Sequence, residues 1–463
     1  MHDLETLQNG GYKGEEVTSL KLTCPLDTFP LDIFDLGATV VRLDLSGTGL
    51  SSLPSAFGTK LPSLKIAFFS QCRFTTFPAE LAHCPRLEMV AFRGNCMAHV
   101  PENALPPRLR WLILTDNKLQ TLPRSIGACA RLQKCMLAGN QLETLPQEMQ
   151  ACKKLGLLRL SSNKFNSIPE WLFEMPELAF LSLAGNPCSS RPLASPDSAL
   201  SSKHGGTRIG SLARVAWSDL EVQETLGQGA SGVILKGLWR TDSTTTLEVA
   251  IKLFKGALTS DGTPLDEMAA CIAAGQHENI IDVLGQIQGH PDEANGSFQG
   301  GLVMQLIPPH YSTLGLPPSM DTCTRDTYPL DAVLSFEKAL RILADVAAAA
   351  AHLHSKGLAH GDLYAHNVLA SGEGHALLGD FGAATVHNRV TSSRFEQLEV
   401  LAFAHLIEDM LALVPRDGRS EQIVRLYDMH QRASAADVSS RPCFKEIASE
   451  LGSLRGKPSL RAN

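Results

Sequence analysis

Three residues with side chains suited to chemistry lie close together late in the chain. Asp362 belongs to the run His360–Asn367, and Asn367 follows it by five residues. Asp380 comes thirteen residues after Asn367 and begins an Asp-Phe-Gly triplet. An Asp can accept the proton of an attacking hydroxyl, while an Asn and a second Asp can bind Mg²⁺ against phosphate groups. The spacing predicts a phosphoryl-transfer site, with Asp362 as the base and with Asn367 and Asp380 as metal ligands.

A glycine-rich segment precedes this site in the chain and follows a strand-like run from Asp219 to Leu226. It reads Gly227-Gln228-Gly229-Ala230-Ser231-Gly232-Val233. Glycines suit such a loop because a Cβ would keep the backbone from closing over phosphates. Dinucleotide-binding turns share this spacing, but a helix follows them. Residues 233–239 and 247–254 are strand-like instead. The segment therefore predicts a loop that binds nucleotide phosphates.

A lysine lies within the second of these strands, in the sequence Val249-Ala250-Ile251-Lys252. An isolated Lys in an apolar strand is more often a surface residue whose aliphatic part is buried. Its place after the glycine loop predicts instead that Lys252 binds the α- and β-phosphates. Glu267, at the start of a helical run to Ala274, is the expected ion-pair partner, and Asp266 is the competing candidate. The remaining predicted nucleotide contacts are Ala250, Met304 and Ile307.

Together these motifs resemble the eukaryotic-type protein kinase family over roughly residues 217–454. A helix-like run from Leu398 to Leu411 and the late Arg441-Pro442 extend the resemblance. It implies a bilobal α+β domain that uses ATP and Mg²⁺, with Asp362, Lys252 and Glu267 as the catalytic set.

The sequence departs from that family around the catalytic loop. Gly361 replaces the Arg that binds an activation-loop phosphate, and Tyr364 and His366 replace the residues that distinguish the two specificity classes. Only 16 residues lie between Gly382 and Glu399, without an Ala-Pro-Glu motif. Kinases of aminoglycosides and choline also contain His-Gly-Asp-Leu. We therefore predict a serine/threonine protein kinase, with a small-molecule kinase and a weakly active ATP-binding scaffold as alternatives.

The first 188 residues contain a repeat of 22 to 24 residues. From Thr48 onward, each unit has apolar residues eight, five and three before a polar or Cys position, which we call the ladder position. The ladder positions are Cys24, Thr48, Cys72, Asn95, Asn117, Asn140, Asn163 and Asn186. The pattern resembles the leucine-rich repeat, which implies an α/β solenoid of horseshoe shape and a structural role for Cys24 and Cys72. Repeats joined to a His-Gly-Asp-Leu-Tyr-Ala-His-Asn loop resemble soluble bacterial leucine-rich-repeat kinases.

Positions six and four before each ladder position should form the exposed concave face of such a solenoid. Many carry large apolar side chains, namely Ile66, Phe68, Met89, Trp111, Ile113, Met136, Leu157 and Phe180. Such side chains indicate a protein-facing surface. The face is predicted to bind a protein partner or substrate, or to be covered intramolecularly by the linker or the kinase-like domain.

The expected domains are residues 1–188 for the repeats, 189–214 for a flexible linker, 215–455 for the kinase-like domain and 456–463 for a tail. The eleven cysteines show no Cys-x-x-Cys pair, which predicts a reducing compartment. No signal-like segment and no run of about 18 apolar residues is present, so we expect a cytoplasmic protein that does not bind membranes. Residues 217–463 hold 19 basic and 30 acidic side chains, which disfavours nucleic-acid binding.

Overall fold

The structure is a computed structural model that describes residues 2–12, 14–189, 212–229, 231–256, 258–293, 298, 300–387, 392–415 and 421–455. The chain forms two compact units, the first of which covers nearly all of residues 1–188. Most of the predicted linker, the predicted tail and Ala230 of the glycine loop lie outside the described residues.

The first unit is built around a parallel sheet with one strand per repeat. Its eight strands follow one another in chain order across the sheet. They are β1 Ser19–Lys21, β2 Arg42–Asp44, β3 Ile66–Phe68, β4 Met89–Ala91, β5 Trp111–Ile113, β6 Lys134–Met136, β7 Leu157–Arg159 and β8 Phe180–Ser182. Paired residues in neighbouring strands up to β7 are 22 to 24 positions apart, as the repeat length requires. The assignment of Cys24 to a ladder position is wrong, because Leu20 pairs with Leu43 and this register makes Pro25 the equivalent of Thr48.

Short helical segments lie before, between and after these strands. Two of them are α-helices, α1 Leu4–Gln8 and α2 Phe57–Lys60, and the others are 3₁₀ turns at Leu31–Leu36, Ala79–His83, Arg124–Ala128, Gln147–Ala151, Glu170–Glu174 and Pro187–Ser189. Five of the 3₁₀ turns are preceded by a proline, at Pro30, Pro78, Pro123, Pro146 and Pro169. A proline residue lacks the N–H that would otherwise be unsatisfied at this point, and its φ is fixed near the required value.

The ladder positions join neighbouring repeats through their side chains. Asn140 accepts a hydrogen bond from the Leu119 N–H at 3.0 Å and donates to the carbonyls of Leu114 and Leu137 at 2.9 Å. The equivalent bonds recur at Asn95, Asn117 and Asn163. Cys72 donates to the Leu45 carbonyl at 3.3 Å in the same way. The ladder satisfies backbone groups that would be costly to bury without partners.

The residue before each ladder position, from Thr48 onward, has a positive φ. Glycine occupies four of these positions, at Gly47, Gly94, Gly139 and Gly185. Gln71, Asp116 and Ser162 occupy the other three, with φ between 53° and 58°. A residue with a Cβ is strained in this conformation by about 1–2 kcal/mol. These three positions therefore lower the stability of the repeat unit.

Replacing Ser162 by Gly is expected to raise the free energy of unfolding by about 1 kcal/mol, because it removes the left-handed strain. The substitution also removes a buried hydroxyl that has no hydrogen-bond partner among the described residues. Urea denaturation measures the change. Thr121→Gly is the control. Thr121 is exposed and its φ is not positive, so this substitution should destabilise the protein by roughly 0.5 kcal/mol. Destabilisation by both substitutions would contradict the expectation.

The expectation that the apolar strand residues are exposed is wrong for three of them. Ile66, Trp111 and Met136 are partly exposed, whereas Met89, Leu157 and Phe180 are buried. Neighbouring strands lie only about 4.8 Å apart, so large side chains in one row cover one another. The Lys134 ammonium, for example, lies 4.5 Å from the centre of the Trp111 ring.

The second unit begins with a six-stranded sheet. Its strands are β9 Ala213–Ala216, β10 Leu220–Gly229, β11 Gly232–Arg240, β12 Thr246–Phe254, β13 Val283–Gln288 and β14 Gly301–Gln305, in the order β10-β11-β12-β14-β13-β9. Helix α3, Pro264–Ala274, follows β12. A buried apolar cluster of Val215, Val249, Ile251, Ile287 and Val303 holds the sheet together. Ala213 and Arg214 belong to β9, so assigning them to the linker was wrong, because they pair with Gly285 and Gln286.

A mainly helical part completes this unit. Its helices are α4 Phe336–Ser355, α5 Ser392–Leu413, α6 Glu421–Ala433 and α7 Phe444–Leu454. Two small sheets accompany them: β15 Tyr311–Thr313 with β17 Val368–Ser371 and β18 Ala376–Leu378, and β16 Leu358–Ala359 with β19 Thr385–Val386. Further 3₁₀ turns are Trp217–Asp219, Pro291–Glu293, Ala365–Asn367 and Val438–Ser440. None of the helices among the described residues is both long and apolar enough to cross a membrane.

Candidate active site

Strand β12 and helix α3 bring Lys252 and Glu267 together as an ion pair. Both side chains are largely buried. Helix α3 begins after Thr263, whose hydroxyl accepts from the Asp266 N–H and donates to the Asp266 carboxylate. Asp266 is therefore engaged at the helix N-terminus, and the structure pairs Lys252 with Glu267 and not with the competing candidate.

The surroundings of Lys252 favour its positive charge. Burial alone lowers the pKa of the ammonium, but Glu267, Cys271 and Asp380 raise it, and the net pKa lies above the ordinary lysine value. The ammonium also lies 5.2 Å from the centre of the Phe254 ring. A buried, permanently charged ammonium can bind phosphate oxygens strongly because no water competes with it.

The catalytic loop brings Asp362 and Asn367 into direct contact. The Asn367 side-chain amide donates to the Asp362 carbonyl at 2.9 Å and to its carboxylate at 3.0 Å. Asn367 is buried and ends the 3₁₀ turn Ala365–Asn367. The amide thus orients the carboxylate predicted to act as the base.

Asp380 lies just after β18 in a left-handed conformation, with φ of 55°. Its carboxylate accepts from the Gly382 N–H at 3.2 Å. A Cβ placed on Gly382 would lie 3.8 Å from the Glu267 carboxylate, so this turn passes close to the Lys252–Glu267 pair. Strained non-glycine residues are common at functional sites. Asp380 is exposed, so its carboxylate is accessible for the predicted metal binding.

His360 connects the catalytic loop to the segment around Asp380. Its Nε2 lies 2.9 Å from the Gly379 carbonyl, and its ring centre lies 5.2 Å from that of Phe381. His360 is fully buried. The loop with the predicted base and the turn with the predicted metal ligand are therefore held as one assembly.

A buried carboxylate that the sequence did not single out anchors the same loop. Glu399 of α5 accepts from the Gly361 N–H at 2.7 Å and from the His360 N–H at 3.3 Å, and it lies 2.6 Å from Nε2 of His354. Burial raises the pKa of Glu399, but the contact with His354 and the other hydrogen bonds lower it by more than burial raises it. The net pKa therefore lies below the usual value. The signal in the sequence was a single acid within the apolar run 398–407.

The glycine loop connects β10 to β11. A Cβ on Gly227 or Gly229 would meet no heavy atom within 4 Å, so the loop borders open space. A Cβ on Gly232 would lie 2.1 Å from the Leu253 carbonyl, so this position requires glycine. Gln228 is exposed and Ser231 partly buried. The backbone at Gly227 and Gly229 is therefore open on the side where a side chain would project.

The remaining predicted nucleotide contacts lie on the same sheet or just after its strand β14. Ala250 of β12 pairs directly with Met304 of β14, and Ile307 follows the end of β14 by two residues. Val233 and Ala250 are buried, and Met304 and Ile307 are partly buried. These side chains offer apolar surface of the kind that binds a flat base.

The residues present fit Mg²⁺ and ATP. Asn367 and Asp380 supply oxygen ligands, and Mg²⁺ is usually held by one or two carboxylates together with substrate phosphates. In the described ranges, no group of three or more His, Cys, Asp or Glu side chains could bind a metal by itself.

Family comparisons agree with this arrangement. Residues 220–404 match a model described as protein tyrosine and serine/threonine kinase, and residues 130–187 match one described as leucine rich repeat. The chain combines leucine-rich repeats with a protein kinase domain. The match covers both specificity classes, so it does not distinguish between serine/threonine and tyrosine acceptors.

Three curated proteins illustrate how far the resemblance to known proteins extends. A probable serine/threonine-protein kinase of Dictyostelium discoideum is 29% identical over 187 residues, 40% of this chain and 12% of the relative. The angiopoietin-1 receptor of Danio rerio is 30% identical over 176 residues, 36% of this chain and 15% of the receptor. A serine/threonine-protein kinase-like protein of Arabidopsis thaliana is 23% identical over 290 residues, 50% of this chain and 83% of the relative. The chain thus spans less than a fifth of the first two relatives.

Gly361 has a structural reason to be glycine. It is buried and has a φ of 74°, at the catalytic-loop position where an Arg was expected from the family resemblance. Gly361→Arg should therefore lower the free energy of unfolding of the kinase domain by at least about 1–2 kcal/mol. Chemical denaturation measures the loss.

The matched control is Gly372→Arg. Gly372 is exposed, its φ is not positive, and an added Cβ would meet no atom within 4 Å. This substitution should change the stability by less than about 0.5 kcal/mol. Equal effects of the two substitutions would refute a special conformational requirement at Gly361.

Proposed function

We propose that this protein transfers the γ-phosphate of ATP to serine or threonine hydroxyls of a protein that the leucine-rich repeats recruit. The observation that carries the proposal is the convergence of two side-chain pairs, Lys252 with Glu267 and Asp362 with Asn367, beside Asp380. This is the set of groups that phosphoryl transfer needs for charge neutralisation and for proton removal.

Each group has a distinct role in this proposal. Asp362 accepts the proton of the attacking hydroxyl, and the Asn367 amide keeps its carboxylate in place. Lys252, held by Glu267, binds the α- and β-phosphates. Asn367 and Asp380 would hold Mg²⁺, which neutralises phosphate charge when bound. The glycine loop covers the phosphates through its backbone.

One observation favours the alternative of a small-molecule acceptor. Helix α5 begins at Ser392, so only the nine residues 383–391 separate it from Gly382. This is even shorter than expected from the sequence and leaves little chain on which an extended peptide could lie. A folded protein held by the repeats would not need such a platform, and this reconciles the short segment with a protein substrate.

Incubation with labelled ATP tests the proposal. The full chain is incubated with Mg²⁺ and ATP alone, then with generic protein substrates, and then with an aminoglycoside or choline. Label on serine or threonine of protein, absent with Asp362→Asn, supports the proposal. Label only on the small molecules would support the alternative, and nucleotide binding without transfer to any acceptor would support a scaffold.

The partly exposed strand residues of the repeat unit provide a test of recruitment. Trp111→Asp combined with Met136→Asp should lower phosphorylation of a protein substrate at least tenfold, because a buried apolar contact would be replaced by unpaired charge. Autophosphorylation and the melting temperature should change little. Both side chains point away from the buried strand positions Leu112 and Cys135. A large fall in the melting temperature would instead place them in the core.

A further inference from the structure

The segment between β15 and α4 reaches the catalytic loop through one buried acid, Asp326. Its side chain is only 3% exposed. One carboxylate oxygen accepts from the Ala365 N–H at 2.5 Å, and the other lies 2.6 Å from Nδ1 of His366. Asp326 therefore binds the first two residues of the turn that ends at Asn367.

The contact with His366 defines the orientation of the imidazole. An ionised carboxylate only accepts hydrogen bonds, so Nδ1 of His366 must donate to Asp326. Such charge-assisted bonds are short and directional. The His366 ring also stacks on Tyr364, with ring centres 4.9 Å apart. The carboxylate thus fixes both the backbone and a side chain of the turn.

Asp326 is itself held firmly in place by its neighbours. Arg325 forms ion pairs with Glu408, at 2.7 Å, and with Asp409, both on α5. The Tyr328 hydroxyl donates to the Asp409 carboxylate at 3.2 Å. Because residues on both sides of Asp326 are bound to a long helix, the carboxylate reaches the turn from a rigid base.

Close packing also restricts this part of the chain. Leu316 and Thr327 exchange backbone hydrogen bonds of 2.8 and 3.0 Å, which close the loop that contains Asp326. A Cβ on Gly315 would lie 3.0 Å from the Ala365 Cβ and 3.1 Å from the Tyr328 ring. The turn and the segment therefore cannot separate by a small side-chain movement alone.

We propose that Asp326 is a positioning residue, which holds the turn Ala365–Asn367 in the geometry that the phosphoryl-transfer site requires. This inference rests on the proposed function, because it takes Asn367 as a ligand of Mg²⁺ and as the partner of Asp362. Without the Asp326 carboxylate, the Ala365 N–H and the His366 ring lose their acceptors. The turn then samples orientations in which Asn367 faces away from the nucleotide.

The first measurement is hydrogen exchange of the full chain without nucleotide, in wild type, Asp326→Ala and Asp326→Asn. Exchange of amides in the range 363–368 should be at least tenfold faster in Asp326→Ala, with α4 and α5 unchanged. Asp326→Asn keeps one acceptor oxygen, so its exchange rates in this range should lie between those of wild type and Asp326→Ala. The control is Asp331→Asn, the same chemical change at an exposed residue of the same segment, which should match wild type.

The second measurement is steady-state kinetics on the same proteins. Loss of an outer residue that orients metal ligands typically costs 10- to 100-fold. Asp326→Ala should lower kcat by this factor and should raise the Mg²⁺ concentration needed for half-maximal rate, with a smaller change in KM for ATP. Asp331→Asn should have wild-type kinetics.

The outcomes separate this inference from the proposed function. Unchanged exchange in the range 363–368 of Asp326→Ala would overturn the positioning role, even if wild type is an active kinase. A uniform rise in exchange across the domain, with a lower melting temperature, would also overturn it in favour of a purely structural role. Absence of phosphoryl transfer in wild type would refute the proposed function, while faster exchange confined to the turn would still establish that Asp326 holds it.

Discussion

Replacing Asp362 by Asn is expected to lower the rate of phosphoryl transfer by roughly 10²- to 10⁴-fold, the usual contribution of a general base. The Asn side chain retains an oxygen that can accept from the Asn367 amide, so the loop geometry should survive. ATP affinity should stay within about twofold of wild type, because the base acts on the acceptor hydroxyl and not on the nucleotide. Single-turnover transfer and nucleotide titration provide the two readouts.

Lys252→Met serves as the comparison for this experiment. It removes the charge that the Glu267 ion pair holds in place, so binding of the phosphates and transfer should both be impaired. Transfer at the wild-type rate in Asp362→Asn would exclude Asp362 as the base. A loss of ATP binding equal to that of Lys252→Met would show that Asp362 mainly organises the nucleotide site.

Replacing Glu399 by Ala should destabilise the kinase domain by about 3–5 kcal/mol, because removing one member of a buried polar cluster leaves its partners unsatisfied. The N–H groups of His360 and Gly361 and the His354 ring all lose an acceptor. The rate of phosphoryl transfer should also fall, because the backbone that Glu399 binds carries Asp362. Chemical denaturation gives the stability, and Glu408→Gln on the same helix is the control. Glu408 is exposed and its ion pair should contribute less than about 1 kcal/mol.

The lowered pKa of Glu399 adds a pH dependence to this prediction. Its pKa in the folded protein lies below the ordinary value of 4.5. The unfolded state therefore binds the proton more readily, and the stabilisation from Glu399 is complete above about pH 4.5 and is lost as the pH falls below it. Glu399→Gln should flatten the acidic limb of the stability profile. An unchanged acidic limb would mean that the charge of Glu399 contributes nothing to stability.

Much of the site follows from local sequence, because its chemistry depends on residue types at short spacing. Asp362 and Asn367 are five residues apart on one loop, so their contact needs little beyond a tight turn. The glycine loop also depends on nearby chain. Gly232 must be glycine because a Cβ there would collide with the Leu253 carbonyl of the neighbouring strand β12. The repeats are equally local: a ladder residue every 22 to 24 positions predicts one parallel strand per unit.

Contacts between distant segments were not accessible in the same way. The choice between Glu267 and Asp266 as partner of Lys252 depends on which side of α3 faces β12, and a one-residue shift on a helix rotates a side chain by about 100°. Asp326 and Glu399 were missed because their bonds to the catalytic loop span 39 and 38 residues. An acid in either segment is unremarkable until packing places it beside unsatisfied N–H groups.

The sequence by itself therefore determined the repeat length, the glycine-rich segment between two strands and the side chains to which we assign phosphoryl transfer in our proposal. The tertiary structure alone decided which acids anchor the catalytic loop, that Gly361 is held at a positive φ, and that Met89, Leu157 and Phe180 are buried. The physical reason is the range of the interactions. Backbone spacing fixes contacts within a turn or a repeat, whereas burial and long-range hydrogen bonds depend on how whole elements pack.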